Sequence, residues 1–137
     1  MATSTIKNKA KDWELIWENP SPTAAFSSVG LILDDLSNKS WVMIEVKRNA
    51  SGENYAYFEC PIGHRREDSN DNMRMWLPGG NFISSSTGNP STVGRMVYVG
   101  ASTVVFGTGV TTNWAMTSSS GNTTNSGSAI PTRIWAR

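Results

Sequence analysis

The chain has 137 residues, the size of one ordinary domain, of which 38% are hydrophobic and 17% charged. Its six tryptophans argue against a disordered chain, and its formal net charge of +1 argues against nucleic acid as the main partner. Ser, Thr, Asn and Gly together number 55, which disfavours helix interiors. We expect residues 1–12, which are polar and rich in lysine, to be a flexible lead and residues 13–137 to form one domain.

The first predicted element of the domain begins at Trp13. Apolar and acidic residues alternate there, which predicts a strand with Trp13, Leu15 and Trp17 on one face. A helix is the alternative, because apolar residues from position 6 onward also have helical spacing. The density of aromatic residues favours the strand. The sequence Asn-Pro-Ser-Pro at 19–22 ends it.

Further strands follow along the chain, separated by polar turns. Alternating apolar residues predict strands at 29–33, 41–47 and 55–62. Turn chemistry predicts two hairpins, with Pro78–Asn81 between strands at 74–77 and 82–84, and Gly100–Ser102 between strands at 95–99 and 103–106. Residues 117–128 are nearly all Ser, Thr, Asn and Gly and are predicted to be an exposed loop, and 130–136 a final strand.

This spacing of short strands and turns defines the expected fold class. Eight to ten short strands, with a turn signal every eight to twelve residues, predict an all-β fold. We expect a single antiparallel β-sandwich with a jelly-roll-like arrangement.

Two of the predicted strands carry large apolar side chains on both faces. Trp41 and Met43 lie opposite the Val42 face of one strand, and Met96 and Tyr98 lie opposite the Val97 face of another. A sheet with one face in water alternates more cleanly than this. Either a second sheet and long loops cover this second face, or another subunit does. Our hypothesis is self-association, with Trp41, Met43, Met96 and Tyr98 as candidate interface residues of a homo-oligomer.

The sequence has few residues of the types that bind zinc, and it has no long apolar segment. Cys60 is the one cysteine, and its apolar neighbours predict a buried thiol rather than a nucleophile. With one histidine besides, the ordinary zinc sites lack ligands, and we expect no metal and no cofactor. No apolar run of about 18 residues occurs, so we expect no membrane insertion. The N-terminus lacks the apolar segment of a signal peptide, so we expect synthesis in a cytoplasm.

The densest charge cluster occupies the predicted loop from Gly63 to Asn72. His64 beside Asp68 or Asp71 is a conceivable general base, but no Gly-x-Ser-x-Gly nucleophile motif accompanies it. The acidic run that begins at Asp68 lacks the glycine and the final glutamate of a calcium loop. We expect a solvated loop and no enzyme, with polar contacts to a ligand or partner from Arg65, Arg66, Asp68 and Asp71.

Two tryptophans are candidates for an exposed ligand platform. Trp76 lies beside a predicted hairpin, and Trp114 precedes the polar stretch at 117–128. Aromatic rings stack on the faces of sugars, so either indole would suit a saccharide. Burial in the core is the alternative for both.

The two ends of the domain carry a resemblance to a known family. The opening segment runs from Trp13 through Trp17, Asn19 and Pro20 to Phe26, and the closing segment is Ile130-Pro131-Thr132-Arg133-Ile134. With these two segments the chain resembles a group of phage and prophage structural proteins, described as tail-fibre or minor structural proteins. Members of this group open with Trp-x-Leu-Leu-Trp-x-Asn-x-Ser-Pro and end with Ile-Pro-x-x-Ile. The middle of the chain, from 50 to 92, has no motif in common with them.

The resemblance implies a setting rather than a chemistry. It implies a non-enzymatic virion protein of a tail fibre, tail tip or capsid surface, with structural roles for Trp13, Trp17, Asn19, Pro20, Phe26, Ile130 and Pro131. The expected partners are further copies of the chain in a homo-oligomer, with a trimer favoured, other virion proteins, and a host-surface glycan. The rival interpretation is a carbohydrate-binding module without a virion role, which predicts a monomer with an exposed Trp76 or Trp114.

Overall fold

The computed structural model describes residues 12–51, 55–62, 74–83, 90–114 and 121–137. These residues form nine strands and one short 3-10 helix at Asp34–Asn38. The strands are β1 (Glu14–Glu18), β2 (Val29–Ile32), β3 (Trp41–Lys47), β4 (Tyr55–Pro61), β5 (Arg74–Ile83), β6 (Pro90–Val99), β7 (Thr103–Trp114), β8 (Gly121–Ser126) and β9 (Ile130–Ala136). The predicted lead at 1–12 lies outside the described residues apart from Asp12.

The nine strands form two antiparallel sheets, so the predicted all-β sandwich is confirmed. We call them sheet A, with the order β1-β9-β3-β4, and sheet B, with the order β2-β7-β6-β5 and β8 paired to the far half of β7. Strands from opposite ends of the chain pair, β1 with β9 and β2 with β7, as in a jelly roll. The strands between them pair with their chain neighbours, β3 with β4, β5 with β6, and β6 with β7.

The core lies between the two sheets, because alternate residues of each strand point inward. From β3, the side chains of Val42, Ile44 and Val46 are fully buried there. They share one apolar cluster with residues of sheet B, among them Val97 and Phe106. The expected alternation of β3 is therefore confirmed on its inner face.

An aromatic trio closes the end of the core near the chain's first turn. The ring of Phe26 packs edge-on against Trp17 and Phe106, with centroids 6.4 and 5.6 Å away. Trp17 and Phe106 are themselves 6.3 Å apart. Edge-to-face pairs of this kind add about 1 kcal/mol each beyond the burial of their area. Trp13 lies apart from the trio, beneath the guanidinium of Arg137 at 4.6 Å.

The prediction that Leu15 and Trp17 share one face of β1 is wrong, because the strand contains a bulge. Its pairing with β9 shifts between Leu15 and Trp17. Leu15 opposes the outward-facing Trp135, whereas Trp17 opposes the buried Ile134. A bulge adds one residue to one strand, which reverses the alternation beyond it. Leu15 and Trp17 therefore face opposite ways, although the element is a strand as predicted.

The prediction of a hairpin turn at Pro78–Asn81 is also wrong, because these residues form a bulge within one strand. β5 runs without interruption through these residues, and its pairing with β6 shifts between Pro78 and Gly80. Gly80 has a φ of 121°, which L residues rarely adopt. A side chain at Gly79 would meet Ala129 at 2.8 Å. The two glycines thus permit a bend and a close approach inside a strand, which the sequence does not distinguish from a turn.

The stretch predicted as a loop at 117–128 contains a strand. β8 pairs residue by residue with the second half of β7, for example Thr124 with Thr111. A strand at the edge of a sheet needs backbone partners rather than apolar side chains, so its polar composition is compatible with pairing. The hairpin at Gly100–Ser102 is confirmed, with the Gly100 amide donating to the Thr103 carbonyl at 2.8 Å.

A buried arginine joins backbone segments that are distant from one another in the sequence. Arg95 of β6 points inward in phase with Val97 and is fully buried. Its guanidinium donates to five backbone carbonyls, those of Phe26, Ser27, Gly107, Ser128 and Ala129, at 2.6 to 3.4 Å. It also lies over the Phe26 ring at 4.9 Å. Burial lowers the pKa of Arg95 to about 10, so the side chain remains a cation at neutral pH.

Candidate functional site

A row of four polar side chains crosses the outer face of sheet A. The row follows the strand register, from Tyr57 on β4 to Glu45 on β3, Arg133 on β9 and Glu18 on β1. Directly paired residues of neighbouring strands lie on the same face within contact distance. The row therefore places a hydroxyl, a carboxylate, a guanidinium and a second carboxylate in succession.

Glu45 is the buried centre of this row, with 6% of its surface exposed. Its two carboxylate oxygens accept hydrogen bonds from the Tyr57 hydroxyl at 2.8 Å and from the Thr132 hydroxyl at 2.6 Å. The hydrogen bond to Glu45 raises the pKa of Tyr57, so this phenol remains a donor at neutral pH. These bonds fix the position of the carboxylate.

The row forms the floor and one rim of an open pocket of about 320 Å³. This volume is at the lower end of the range for small-molecule sites. The lining residues are Glu18, Asn19, Pro22, Glu45, Tyr55, Tyr57, Thr132 and Arg133. On the rim, the Arg133 Nε lies 3.3 Å from a carboxylate oxygen of Glu18, in an exposed ion pair. Sequence analysis missed this pocket, because its residues come from four separate parts of the chain.

Apolar side chains lie on the same face, to one side of the polar row. Trp41 and Leu15 are exposed, and Met43 and Trp135 are partly exposed. Met43 pairs with Trp135, which in turn pairs with Leu15, so these residues form a second row beside the polar one. The outer face of sheet A is thus both apolar and charged.

The outer face of sheet B carries a different surface. Among its described side chains are large exposed apolar ones, with Ile32 78% exposed and the others between two fifths and about half exposed, namely Met96, Val105 and Trp76. Tyr98 pairs with Val105 on the same face. We call this surface, from Ile32 across to Trp76, the sheet B face.

Trp76, one of the two residues predicted to form an exposed ligand platform, lies on the sheet B face. Its indole packs on Gly94, where a side chain would come within 2.3 Å of the ring. The side chain is nevertheless 51% exposed, so the ring is not in the core. Trp114 ends β7, and its side chain lies outside the described residues.

The four predicted interface residues occupy two surfaces. Trp41 and Met43 lie on the outer face of sheet A, whereas Met96 and Tyr98 lie on the sheet B face. These surfaces are on opposite sides of the sandwich, so no single face contains all four. The predicted contact loop with Arg65, Arg66, Asp68 and Asp71 lies outside the described residues.

The two sequence segments that carry the resemblance are joined in the structure. The side chain of Asn19 is buried, donates to the Pro131 carbonyl at 2.8 Å and accepts from the Ser21 amide at 2.8 Å. The Asn19 amide donates to the Thr132 carbonyl at 2.8 Å. With the pairing of Trp17 and Ile134, the opening and closing segments form one structural unit.

Cys60 is buried on the inner face of β4, with 2% exposure, as predicted. Burial raises the pKa of its thiol to about 11. A thiol in this environment is protonated at neutral pH and is not a nucleophile.

The comparisons add no identity to this geometry. The chain matches none of the protein-family models, curated proteins or solved structures with which it was compared. Within the described ranges, no helix has both the length and the apolar character needed to cross a membrane.

Proposed function

We propose that this chain is a non-enzymatic structural protein of a phage virion, a component of a tail fibre, tail tip or capsid surface that contacts the host. Two observations support the proposal. The segments resembling phage structural proteins form one unit at Asn19 and Pro131. The sandwich also exposes large apolar side chains on the sheet B face, as expected of a subunit within an assembly.

The occupant that we assign to the sheet B face is a further copy of this chain, with a trimer favoured. The large apolar side chains that this face exposes among the described residues, Ile32, Met96, Val105 and Trp76, carry no charge. Such a surface meets a copy of itself without repulsion between like charges. In the proposed trimer the sheet B faces of three copies turn toward the common axis, which leaves the outer face of sheet A outward.

The test is the native mass of the chain in solution at a few micromolar. We expect a trimer for the wild type and a monomer for Met96→Lys, because three lysines would meet in an apolar contact. Leu15→Lys is the matched control, since Leu15 is about as exposed as Met96 but lies on sheet A. A monomeric wild type, or dissociation by both variants alike, would contradict the assigned contact.

The virion setting has its own test. Particles purified by density gradient from an induced culture of the source should contain the chain in a fixed ratio to the major capsid protein, measured by quantitative mass spectrometry. Recovery of the chain solely in the particle-free fraction would refute the virion role whatever its oligomeric state.

A carbohydrate-binding module without a virion role is the second candidate, and Trp76 is the observation that favours it. One face of its indole rests on Gly94, and about half of the side chain is open to solvent. Trp76→Ala would then abolish saccharide binding with little change in Tm, and the wild type would be a monomer. If Trp76 instead belongs to the subunit contact, Trp76→Ala weakens the trimer.

A further inference from the structure

We propose that the pocket on the outer face of sheet A binds one unit of an uncharged saccharide. The proposal rests on the host-surface contact proposed above and names its ligand class and its site. The site is built around Glu45, a buried carboxylate held by two hydroxyl donors. Trp76, on the opposite side of the sandwich, has no part in it.

The polar groups of the pocket match the hydroxyl groups of a sugar. A carboxylate offers about four acceptor positions, and Tyr57 and Thr132 occupy two at Glu45. The others suit donation from ligand hydroxyls. Arg133 lies beside Glu45 in the register and directs its Nε to Glu18, while the guanidinium carries further N–H donors for ligand oxygens. Acceptors and donors in alternation favour a ligand that supplies both, as neighbouring hydroxyls of a sugar do.

The aromatic side chains supply the apolar part of the site. Tyr55 and Tyr57 lie two residues apart on the same face of β4, and each is about half exposed. Rings spaced by two residues in a strand are about 7 Å apart. They present flat apolar faces to the C–H groups of a pyranose, while the phenol ends remain polar.

The charges of the pocket select against acidic sugars. Two carboxylates, of Glu18 and Glu45, line it with one guanidinium, of Arg133. A carboxylate on the ligand would meet two like charges and one opposite charge, with Glu45 fixed by its hydrogen bonds. We therefore assign uncharged hexoses, deoxyhexoses and N-acetylhexosamines, and exclude uronic and sialic acids.

The test uses an immobilised set of neutral and acidic oligosaccharides, followed by titration of the best-retained one in solution. The set includes oligomers of glucose, galactose, mannose, rhamnose and N-acetylglucosamine, with oligogalacturonate and sialyllactose as acidic members. We expect the wild-type chain to retain at least one neutral member and neither acidic one. Tyr55→Ala and Glu45→Gln should each weaken its binding about tenfold or more.

Glu59→Gln is the matched control for Glu45→Gln, because Glu59 is an exposed carboxylate on the same face and strand as Tyr57 but outside the pocket. Its affinity should remain within about twofold of the wild type. Unfolding midpoints of all variants establish that they fold. Retention of no saccharide by the wild type would overturn the proposal, as would binding that is indifferent to Tyr55 and Glu45. A trimer found in virions that fails this test would overturn the pocket assignment alone.

Discussion

Replacement of the buried Arg95 by methionine should be among the most damaging single changes in the sandwich. Methionine approaches the length of the arginine stem but donates no hydrogen bond. Four carbonyls that Arg95 serves at 3.0 Å or less would then lose their donor, those of Phe26, Gly107, Ser128 and Ala129. At about 2 kcal/mol for a buried group that loses its donor, the four carbonyls give an upper value of about 8 kcal/mol, since three of the bonds are only part-buried.

Part of that loss is returned, because the variant no longer buries a charge. Lowering the pKa of Arg95 from its ordinary value to about 10 corresponds to about 3 kcal/mol of desolvation. The expected net destabilisation is therefore up to about 5 kcal/mol, which reaches the range for breaking a buried charged network. For a domain of this size, that is a large part of the total stability.

Urea unfolding followed by tryptophan fluorescence measures this difference, read as a shift of the midpoint at constant slope. Arg133→Met is the matched control, because Arg133 is an exposed arginine with one ion pair and should lose no more than about 0.5 kcal/mol. Arg95→Lys keeps the charge and up to three donors, so it should fall between wild type and Arg95→Met. If Arg95→Met unfolds within about 1 kcal/mol of wild type, the carbonyl clamp is not what stabilises this region.

Three further predictions concern other parts of the fold. Asn19→Ala should cost about 1 to 2 kcal/mol in urea unfolding, because it removes the bond to Pro131, and a variant as stable as wild type would contradict the joining role. The Cys60 thiol, with its pKa raised to about 11, should react with a disulfide reagent at pH 8 about a hundredfold more slowly than glutathione. The native state keeps this proton and the unfolded state releases it near pH 9, so the contribution of Cys60 to unfolding free energy should fall from pH 9 to 11, and Cys60→Ala should lack this component. Gly94→Ala should displace the Trp76 indole and change its fluorescence maximum, and an unchanged spectrum would refute the close packing.

The strands that the sequence predicts well are those with clean alternation or a tight turn. The bounds of β3 agree with the prediction because the valines and isoleucine at every second position fill the core. Alternation does not predict bulges, because one extra residue in β1 or β5 reverses which face the following side chains occupy without any change in composition. Alternation does not predict β8 either, because an edge strand is held by backbone pairing.

The buried polar residues show which part of the candidate site the sequence could have indicated. Arg95 is in phase with Val93 and Val97, so its inward direction was readable, although its five carbonyl partners come from distant segments. Glu45 shares the outward phase of Met43, and nothing in β3 alone indicates its burial. That burial follows from Tyr57 and Thr132, which reach it from the two neighbouring strands.

The pairing of β1 with β9 has a consequence for the order of folding during synthesis. β9 lies between β1 and β3, so sheet A is incomplete until the last seven strand residues, Ile130–Ala136, have been made. Before that, β3 and β4 have only each other as partners in sheet A, and a two-stranded hairpin is marginally stable in water. Ile44 then lacks its neighbour Ile134 on the adjoining strand. Contacts between such distant segments form slowly and leave apolar strands open to aggregation meanwhile. A nascent chain that stalls just before Ile130 should therefore depend on a chaperone, whereas the finished chain closes its own sheet.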